Sequence, residues 1–228
     1  MPRIVLLRIF ALAAIVNLTA QIQAMEPINR IETDELVVAL TFDDGPHEKQ
    51  TLEYIELFKQ EGVKATFFET GKSMAKNPGL VKKLAEAGHE IGNHTMTHPH
   101  LPELESIDAV REQLKGTQER VFKETGQRPK VFRAPYLEYD ERVHTVLKEL
   151  GMPAINASRS ARDWSPEASV EVILQRTTEN IKGGDILLMH SWPPNTLEAM
   201  PEIIRRLKAG GFRFVTVSEL LAMDASPE

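Results

Sequence analysis

The sequence predicts a single α/β domain whose parallel sheet closes, or nearly closes, into a barrel. From about residue 36 onward, short apolar runs alternate with amphipathic segments seven times, which is the pattern of consecutive β/α units. The 228 residues fit one such domain, and no low-complexity stretch or Pro/Gly/Ser-rich linker interrupts them. An open, doubly wound sheet is the alternative architecture.

Each predicted element has its own local signal. Strands are short apolar runs, and helices carry apolar residues on one stripe and mostly end near a glycine. In chain order the elements are the strand ELVVALTF, the helix QTLEYIELFKQEG, the strand KATFF, the helix PGLVKKLAEAG, the strand HEIGN, a helix from about Ser106 to Glu124, the strand KVFR, the helix ERVHTVLKELG, the strand MPAINAS, the helix SVEVILQRTTENI, the strand GDILLMH, the helix NTLEAMPEIIRRLKAGG, the strand FRFVTV and the helical turn SELLAM.

Apolar spacing also predicts which side chains of the first helices face the core and where these helices end. Leu52, Ile55 and Phe58 share one stripe of the first helix. In the second helix, Pro78 suits an early position and Gly88 suits the C-cap.

Composition excludes several kinds of partner and site. The net charge of -6, without a long basic run, argues against nucleic acid or an anionic membrane as a principal partner. The chain contains no cysteine, which excludes disulfides, thiolate zinc sites and a cysteine nucleophile. Any metal must therefore be held by histidine and carboxylate side chains.

The first 24 residues have the pattern of a secretory signal peptide. Arg3 and Arg8 precede a short apolar run at 9–16, and small residues follow near Ala20 and Ala24. An uncleaved anchor is the alternative, and either one predicts export to the periplasm or beyond. The expected organisation is a signal peptide at 1–24, an N-terminal segment at 25–35 and the main domain at 36–228, with no other membrane segment.

Polar side chains follow five of the predicted strands. Because the loops after the strands of a β/α barrel form one face, we expect these side chains to gather at one rim. They are Asp43 and Asp44 after the first strand, His94 and His98 after the third, Arg133 and Tyr136 after the fourth, Asp163 and Trp164 after the fifth, and His190 at the end of the sixth.

The stretch HTMTH predicts two metal ligands. His94 and His98 are four residues apart, so on a helical turn both imidazoles would meet one ion. A carboxylate completes a divalent site, for which zinc is expected and cobalt, nickel, manganese or iron remain open. Non-haem iron oxygenases share this ligand set, but the α/β pattern and the second aspartate count against them.

The adjacent carboxylates of TFDDGP suit two different tasks. On an extended segment Asp43 and Asp44 point to opposite sides, so one can bind the metal while the other acts as a base. A metal lowers the pKa of a water that the base can deprotonate for attack on a carbonyl. His190 is the available acid for the leaving group.

Together TFDDGP, HTMTH, RAPY, RDW and LLMH resemble, in order, the motifs of the polysaccharide deacetylases of carbohydrate esterase family four, over Leu36 to Met223. The resemblance implies a distorted (β/α)7 barrel and metal-dependent hydrolysis of acetyl groups from sugar polymers. It also implies that Asp43 is the base and that the ligands are Asp44, His94 and His98.

The remaining site residues receive roles from the same resemblance. Arg133 would orient Asp43, and the backbone N–H of Tyr136 would help to hold the oxyanion. His190 would be the general acid, with Asp163 favouring its imidazolium form. Trp164 and Leu188 would form the wall of an acetyl pocket.

Two residues depart from the family motifs. Ser160 replaces the first aspartate of D-x-x-D-W, and Ala134 stands where a second proline is frequent in the arginine motif. Neither position carries an assigned chemical role, so we expect activity to be retained.

Three functions are compatible with these motifs. The leading one is removal of acetyl groups from N-acetylglucosamine units of peptidoglycan or chitin-type polymers and oligomers, by a monomer. The second is an acetylxylan O-esterase, which needs less help for its leaving group. The third is an inactive carbohydrate-binding relative, which the intact set of chemical residues disfavours.

Overall fold

The computed structural model describes residues 26–224, in which six parallel strands form the sheet. The predicted signal peptide lies outside these residues. The hydrogen-bonded order is β3-β2-β1-β5-β4, and β6 pairs with the start of β1. The strands are β1 (Val37–Asp43), β2 (Thr66–Glu69), β3 (Glu90–Asn93), β4 (Arg159–Ser160), β5 (Asp185–His190) and β6 (Arg213–Phe214).

Helices follow the strands and pack around the sheet. Those of the described residues are α1 (Glu48–Glu61), α2 (Gly71–Lys76), α3 (Leu80–Glu86), α4 (Ile107–Thr125), α5 (Glu141–Leu150), α6 (Val170–Thr178), α7 (Pro194–Ala209) and α8 (Val217–Asp224), with short 3-10 helices at Leu101–Glu103 and Pro135–Leu137. Within the same residues, none of the helices has the length and apolarity needed to cross a membrane.

Single bridges connect the two ends of the sheet. Phe132 pairs with Asn93 on one side and with Ala154 on the other, and the chain then runs from Ala154 into β4. The α/β class and the parallel sheet are confirmed. The named strands form an open sheet, and only isolated bridges connect β3 with the segment that leads into β4. The barrel is therefore distorted.

The predicted strand KVFR is reduced to one bridging residue, Phe132. Its neighbours explain why. Pro129 and Pro135 flank the segment. Pro153 removes a backbone N–H donor from the neighbouring segment, which pairs with Phe132 through Ala154. A longer ladder cannot form where these N–H groups are missing, so the prediction of a regular fourth strand was wrong.

Aromatic side chains fill the space between the sheet and α1. Phe42, Tyr54, Phe58 and Phe67 are buried, with ring centroids 4.8 to 6.4 Å apart. Leu52, which the sequence placed on this stripe, is 41% exposed. At 3.6 residues per turn, the inward stripe of α1 runs through Tyr54 and Phe58 instead.

Helix ends follow their sequence signals in most cases. Ser106 caps α4 by accepting a hydrogen bond from the N–H of Ala109, and Gly126 follows it in the left-handed region. At α3 the prediction was wrong by two residues, because Gly79 is the N-cap and Pro78 lies outside the helix. The six-residue α2, capped by Thr70, was not predicted because it is too short for a periodic pattern.

Candidate active site

The register of the sheet brings four strand ends to the same rim. Asp43 at the end of β1 lies opposite Phe68 of β2 and His190 of β5. Asn93, at the end of β3, lies beside Glu69 of β2. Side chains in the loops after these strands therefore face one another across the rim.

Asp44, His94 and His98 form a group that could hold a metal ion. One ligand atom from each lies within 4.8 Å of the others. The Asp44 Oδ1 atom is 3.4 Å from His94 Nε2 and 3.1 Å from His98 Nε2. Three protein ligands with positions left open are typical of a catalytic rather than a structural site.

The protonation pattern of this group fits a cation. The Nδ1 atom of His94 lies 2.7 Å from the carbonyl oxygen of Arg133. Because a carbonyl can only accept, Nδ1 carries the proton and Nε2 presents its lone pair to the group. Among residues 26–224, the buried Oδ1 atom of Asp44 has no hydrogen-bond donor, which is expected of an oxygen reserved for an ion.

Electrostatics keep Asp44 ionised. Burial alone would raise the pKa of its carboxyl group, but the imidazoles of His94 and His98, when they carry a proton on Nε2, outweigh burial and hold that pKa well below its usual range. An ionised carboxylate is the form that binds a divalent cation.

The two histidines converge through a loop and not through the helical turn that their spacing predicted. Thr95 and His98 both have positive φ, 67° and 61°. The backbone N–H of Gly71, at the start of α2, donates to the carbonyl of Thr95. The side-chain oxygen of Gln113 on α4 accepts hydrogen bonds from the backbone N–H groups of Met96 and Thr97, at 3.1 and 2.9 Å.

Asp43 forms a buried ion pair with Arg133. The Arg133 Nη1 atom lies 2.8 Å from Asp43 Oδ1 and also donates to the hydroxyl of Thr41 at 2.7 Å. Its Nη2 atom donates to the carbonyl of Asn156, and the guanidinium lies over the ring of Phe68 at 4.3 Å. The carboxylate of Asp43 is thereby fixed next to Asp44, which belongs to the candidate metal group, while Asp43 is not a member of that group.

His190 and Asp163 form a second pair across the rim. The Nδ1 atom of His190 is 2.8 Å from Asp163 Oδ1, and Asp163 Oδ2 accepts from the Thr196 hydroxyl at 2.7 Å. Burial acts to lower the pKa of His190, but the Asp163 carboxylate outweighs it and raises that pKa. The Nε2 atom lies 3.9 Å from Asp44 Oδ2, so it faces the candidate metal ligands.

The predicted substrate contacts lie around these pairs. Tyr136, with φ of 57°, is 54% exposed and places its ring edge-on to His98, with centroids 4.8 Å apart. Trp164 is 50% exposed, with its ring 5.2 Å from that of His190. Leu188 is buried on β5 two residues before His190, so both side chains face the same side of the sheet.

Three residues near this rim were missed by the sequence reasoning. Gln113 holds the histidine loop from a distant helix, which no local pattern reveals. Trp192 follows His190 by two residues and is 39% exposed; an aromatic residue just past a strand end was its signal. Glu69, the last residue of β2, directly follows the predicted strand KATFF and was assigned no role.

Glu69 is a buried acid beneath the turn after β1. A Cβ atom added to Gly45 would lie 2.6 Å from its Oε2 atom, so a larger residue there would require the Glu69 side chain to move. Neither carboxyl oxygen of Glu69 finds a hydrogen-bond partner within the described part of the chain. Burial, and then the charges of Asp44 and Asp43, raise the pKa of Glu69 well above its usual value.

Residues 30–155 match the family model of the polysaccharide deacetylases. The peptidoglycan-N-acetylglucosamine deacetylase PgdA of Listeria monocytogenes is 37% identical over 183 residues, which cover 80% of this chain and 38% of that protein. A peptidoglycan-N-acetylglucosamine deacetylase of Bacillus cereus is 36% identical over 196 residues, covering 84% of this chain and 91% of that protein. This chain therefore spans about two fifths of the Listeria protein and most of the Bacillus one.

A solved structure has the same fold. The crystal structure of the Bc1960 peptidoglycan N-acetylglucosamine deacetylase superposes with a TM-score of 0.81 at 34% identity, over 85% of this chain and 91% of that one. The alignments and the superposition extend well beyond the site motifs, so the resemblance involves the whole domain.

Proposed function

Because this chain belongs to the polysaccharide deacetylase family, we propose that it hydrolyses acetyl groups from N-acetylglucosamine units of a polysaccharide or oligosaccharide in a metal-dependent reaction. One observation carries the proposal. A carboxylate held by arginine and an imidazole held by carboxylate flank the same three candidate metal ligands. In the proposed reaction, the general base, the metal site and the general acid surround the carbonyl carbon of the acetyl group.

Asp43 acts as the general base in this proposal. Its ion pair with Arg133 fixes the carboxylate, which accepts a proton from the attacking water. A divalent ion held by Asp44, His94 and His98 would supply Lewis acidity that activates the water and polarises the acetyl carbonyl. The backbone N–H of Tyr136 donates a hydrogen bond to the developing oxyanion.

His190 acts as the general acid and decides between the two hydrolytic alternatives. An amide nitrogen must be protonated before it leaves, whereas an alkoxide is expelled more easily. His190 is partly buried, paired with Asp163 and protonated more readily than a free histidine. This arrangement supports an N-acetyl substrate over the O-acetyl groups of acetylxylan.

We propose zinc as the ion, with cobalt, nickel, manganese and iron as alternatives. Two imidazole nitrogens and one carboxylate oxygen are a usual ligand set of catalytic zinc, although the set alone discriminates poorly among these metals. Elemental analysis of protein purified without added metal checks this assignment; an excess of another metal would replace zinc.

The relatives suggest the polymer and the place of action. Two of them are named for deacetylation of N-acetylglucosamine in peptidoglycan, so we propose peptidoglycan or a chitin-type oligomer as the substrate. The signal-like pattern of residues 1–24 supports export. We propose that the exported domain acts as a monomer, which its elution volume in gel filtration would check.

Acetate release tests the proposed function directly. The protein is stripped with a chelator, reloaded with zinc or cobalt, and incubated in parallel with chitin oligosaccharides, peptidoglycan and acetylated xylan. Metal-dependent release from the N-acetylated substrates is the expected result. Release from xylan alone would make the protein an esterase, and silence on all three would favour the inactive binding relative.

A further inference from the structure

Trp192 is an exposed aromatic side chain beside the candidate acid. The residue is 39% exposed, and the centroid of its indole ring lies 6.2 Å from that of the His190 imidazole. None of the roles proposed above uses it. Single exposed hydrophobic residues are common on protein surfaces, so the position of Trp192 beside His190 and the rigidity of its backbone are the relevant observations.

The backbone of Trp192 is fixed on both sides. On one side Ser191 is buried, and its N–H and hydroxyl groups both donate to the carbonyl of Asp43, at 3.1 and 3.2 Å. On the other side Pro193 and Pro194 follow, and a residue before proline is restricted to extended conformations. The side chain of Gln50 donates to the carbonyl of Trp192 at 3.4 Å.

This rigidity suits a binding platform. An aromatic ring on a preorganised backbone loses little conformational entropy when a ligand packs against it. The indole offers a flat apolar face and an N–H donor, and a pyranose ring offers C–H groups on its faces and hydroxyl groups at its edge. The two are chemically complementary.

The other exposed aromatic residues at the rim are placed differently. Trp164 is in the predicted wall of the acetyl pocket. Tyr136, on the far side of the metal ligands, has one face covered by the imidazole of His100, with centroids 3.8 Å apart and an interplanar angle of 4°. Trp192 is therefore the aromatic surface on the acid side that remains without a proposed role.

We propose that Trp192 stacks on the pyranose ring next to the unit that loses its acetyl group, on the side of His190. The inference rests on the proposed function and names its substrate more narrowly. The site then takes an oligosaccharide or polymer with at least one neighbouring sugar, and recognition of that neighbour adds to the binding free energy.

Intrinsic fluorescence offers a test that does not need turnover. The sequence contains two tryptophans, Trp164 and Trp192, so the variant Trp164→Phe reports on Trp192 alone. This variant, kept in chelator, is titrated with chitotetraose, the tetramer of N-acetylglucosamine, while calorimetry records binding in parallel. We expect the emission of Trp192 to shift with the same Kd as the heat, and N-acetylglucosamine alone to cause little shift.

Binding of chitotetraose without any change in Trp192 emission would overturn the proposal, and so would the absence of binding. Acetate release from chitotetraose by the metal-loaded wild-type protein tests the proposed function separately. Release together with a silent Trp192 would remove the subsite and leave the activity in place.

Kinetics give an independent readout. For Trp192→Ala we expect kcat/KM for chitotetraose to fall about tenfold, mainly through KM, which corresponds to about 1.4 kcal/mol. Hydrolysis of 4-nitrophenyl acetate, which carries no sugar, should change little, and Trp192→Phe should recover most of the loss. Phe122→Ala, which removes an exposed aromatic side chain of α4, is the matched control.

The ratio of the two substrates decides the outcome. A selective loss on chitotetraose supports stacking on a neighbouring sugar. An equal loss of kcat/KM on both substrates would overturn the proposal, because Trp192 would then act through His190. No loss on either substrate would also overturn it, because Trp192 would then have no role in catalysis or binding.

Discussion

The carboxylate of Asp43 is buried next to a guanidinium, and its neighbour Asp44 faces two imidazoles. The two aspartates are adjacent in sequence, but their side chains pair with different residues. The positive φ of Asp44, 74°, turns the chain between them and accounts for this separation. Their chemical roles can therefore be tested one at a time.

Asp43→Asn should remove the base while leaving the metal. Because general-base catalysis contributes roughly 10²- to 10⁴-fold, we expect turnover to fall by about that factor with unchanged metal content in elemental analysis. His98→Ala is the contrasting variant, for which we expect reduced metal occupancy. Undiminished turnover of Asp43→Asn would exclude Asp43 from the mechanism.

Asp163→Asn should change the pH profile of the reaction. The Asp163 carboxylate raises the pKa of His190 against the effect of burial, so its neutralisation lowers that pKa. Since the acid acts in its protonated form, the alkaline limb of the kcat profile should move to lower pH.

Thr196→Val is the matched control for this profile. It removes one hydrogen bond to Asp163 but keeps the carboxylate charge, so its alkaline limb should stay close to that of the wild type. Identical profiles for Asp163→Asn and the wild type would mean that His190 is not the titrating acid.

At the level of single residues, sequence reasoning succeeds where a side chain directly follows a strand. Asp43, Asp44 and His190 were identified in this way, and the structure brings them to one rim. Glu69 could not be identified, because its burial depends on how the turn at Gly45 folds over it. That contact is between the turn after β1 and the end of β2, and neither of the two sequence segments indicates it.

Among the elements, the loop carrying His94 and His98 shows how distant contacts replace local rules. The four-residue spacing suggested a helical turn, but the loop takes its shape from α2 and from Gln113 on α4. The two positive φ values of this loop are stabilised by partners that lie elsewhere in the chain. Spacing predicted that the histidines converge but not how.

Gln113→Ala should weaken metal binding without touching a ligand. The variant loses hydrogen bonds to the backbone of Met96 and Thr97, so His98 must be ordered when the ion binds. Loss of such a supporting contact typically lowers metal affinity 10- to 100-fold, and calorimetric titration with zinc measures the change.

Gln113→Glu is the matched control, because it keeps an acceptor oxygen at the same position. We expect its metal affinity to stay closer to that of the wild type, and saturating metal to restore turnover in Gln113→Ala. Equal affinities for the wild type and Gln113→Ala would show that the loop holds its shape without this clamp.

The longer helices were predicted well because each carries its own signals. Ser106 and Gly126 mark the ends of α4, whereas α2 has neither length nor period. The strand KVFR failed for a different reason, since Pro129 and Pro135 flank it and Pro153 removes a donor from the adjacent segment. The hydrogen bonds of a helix lie within its own segment, whereas the length of a strand also depends on the donors of its neighbours.

For the whole molecule, we expect the bound metal to raise the free energy of unfolding. The ligands come from loops after β1 and β3, so the ion joins parts of the chain that separate on unfolding. At a free metal concentration of 100 times Kd, the gain is about 2.7 kcal/mol, equal to roughly 5–10 °C in Tm for a domain of this size.

Chelator-dependent melting measures this gain. Tm is recorded with zinc and with chelator for the wild type and for Asp44→Ala, in which one ligand is missing. The wild type should lose several degrees with chelator and the variant should lose little. The same shift in both would place the stabilising ion elsewhere.

Arg133 links the parts of the site with the parts of the sheet. Its side chain reaches Thr41 and Asp43 of β1 and the carbonyls of Ile155 and Asn156, while its own carbonyl binds His94. Removal of a buried charged partner commonly costs 3–5 kcal/mol. Chemistry and architecture thus depend on one side chain.

An inert form of the protein for trapping a bound sugar chain should therefore keep Arg133. His190→Asn is the better choice, because the His190 side chain lies at the rim and pairs with Asp163, whereas the Arg133 side chain connects several segments of the sheet. The distinction also ranks the residues by dispensability. A lineage could lose the acid and survive as a binding protein, whereas loss of this arginine would threaten the barrel itself.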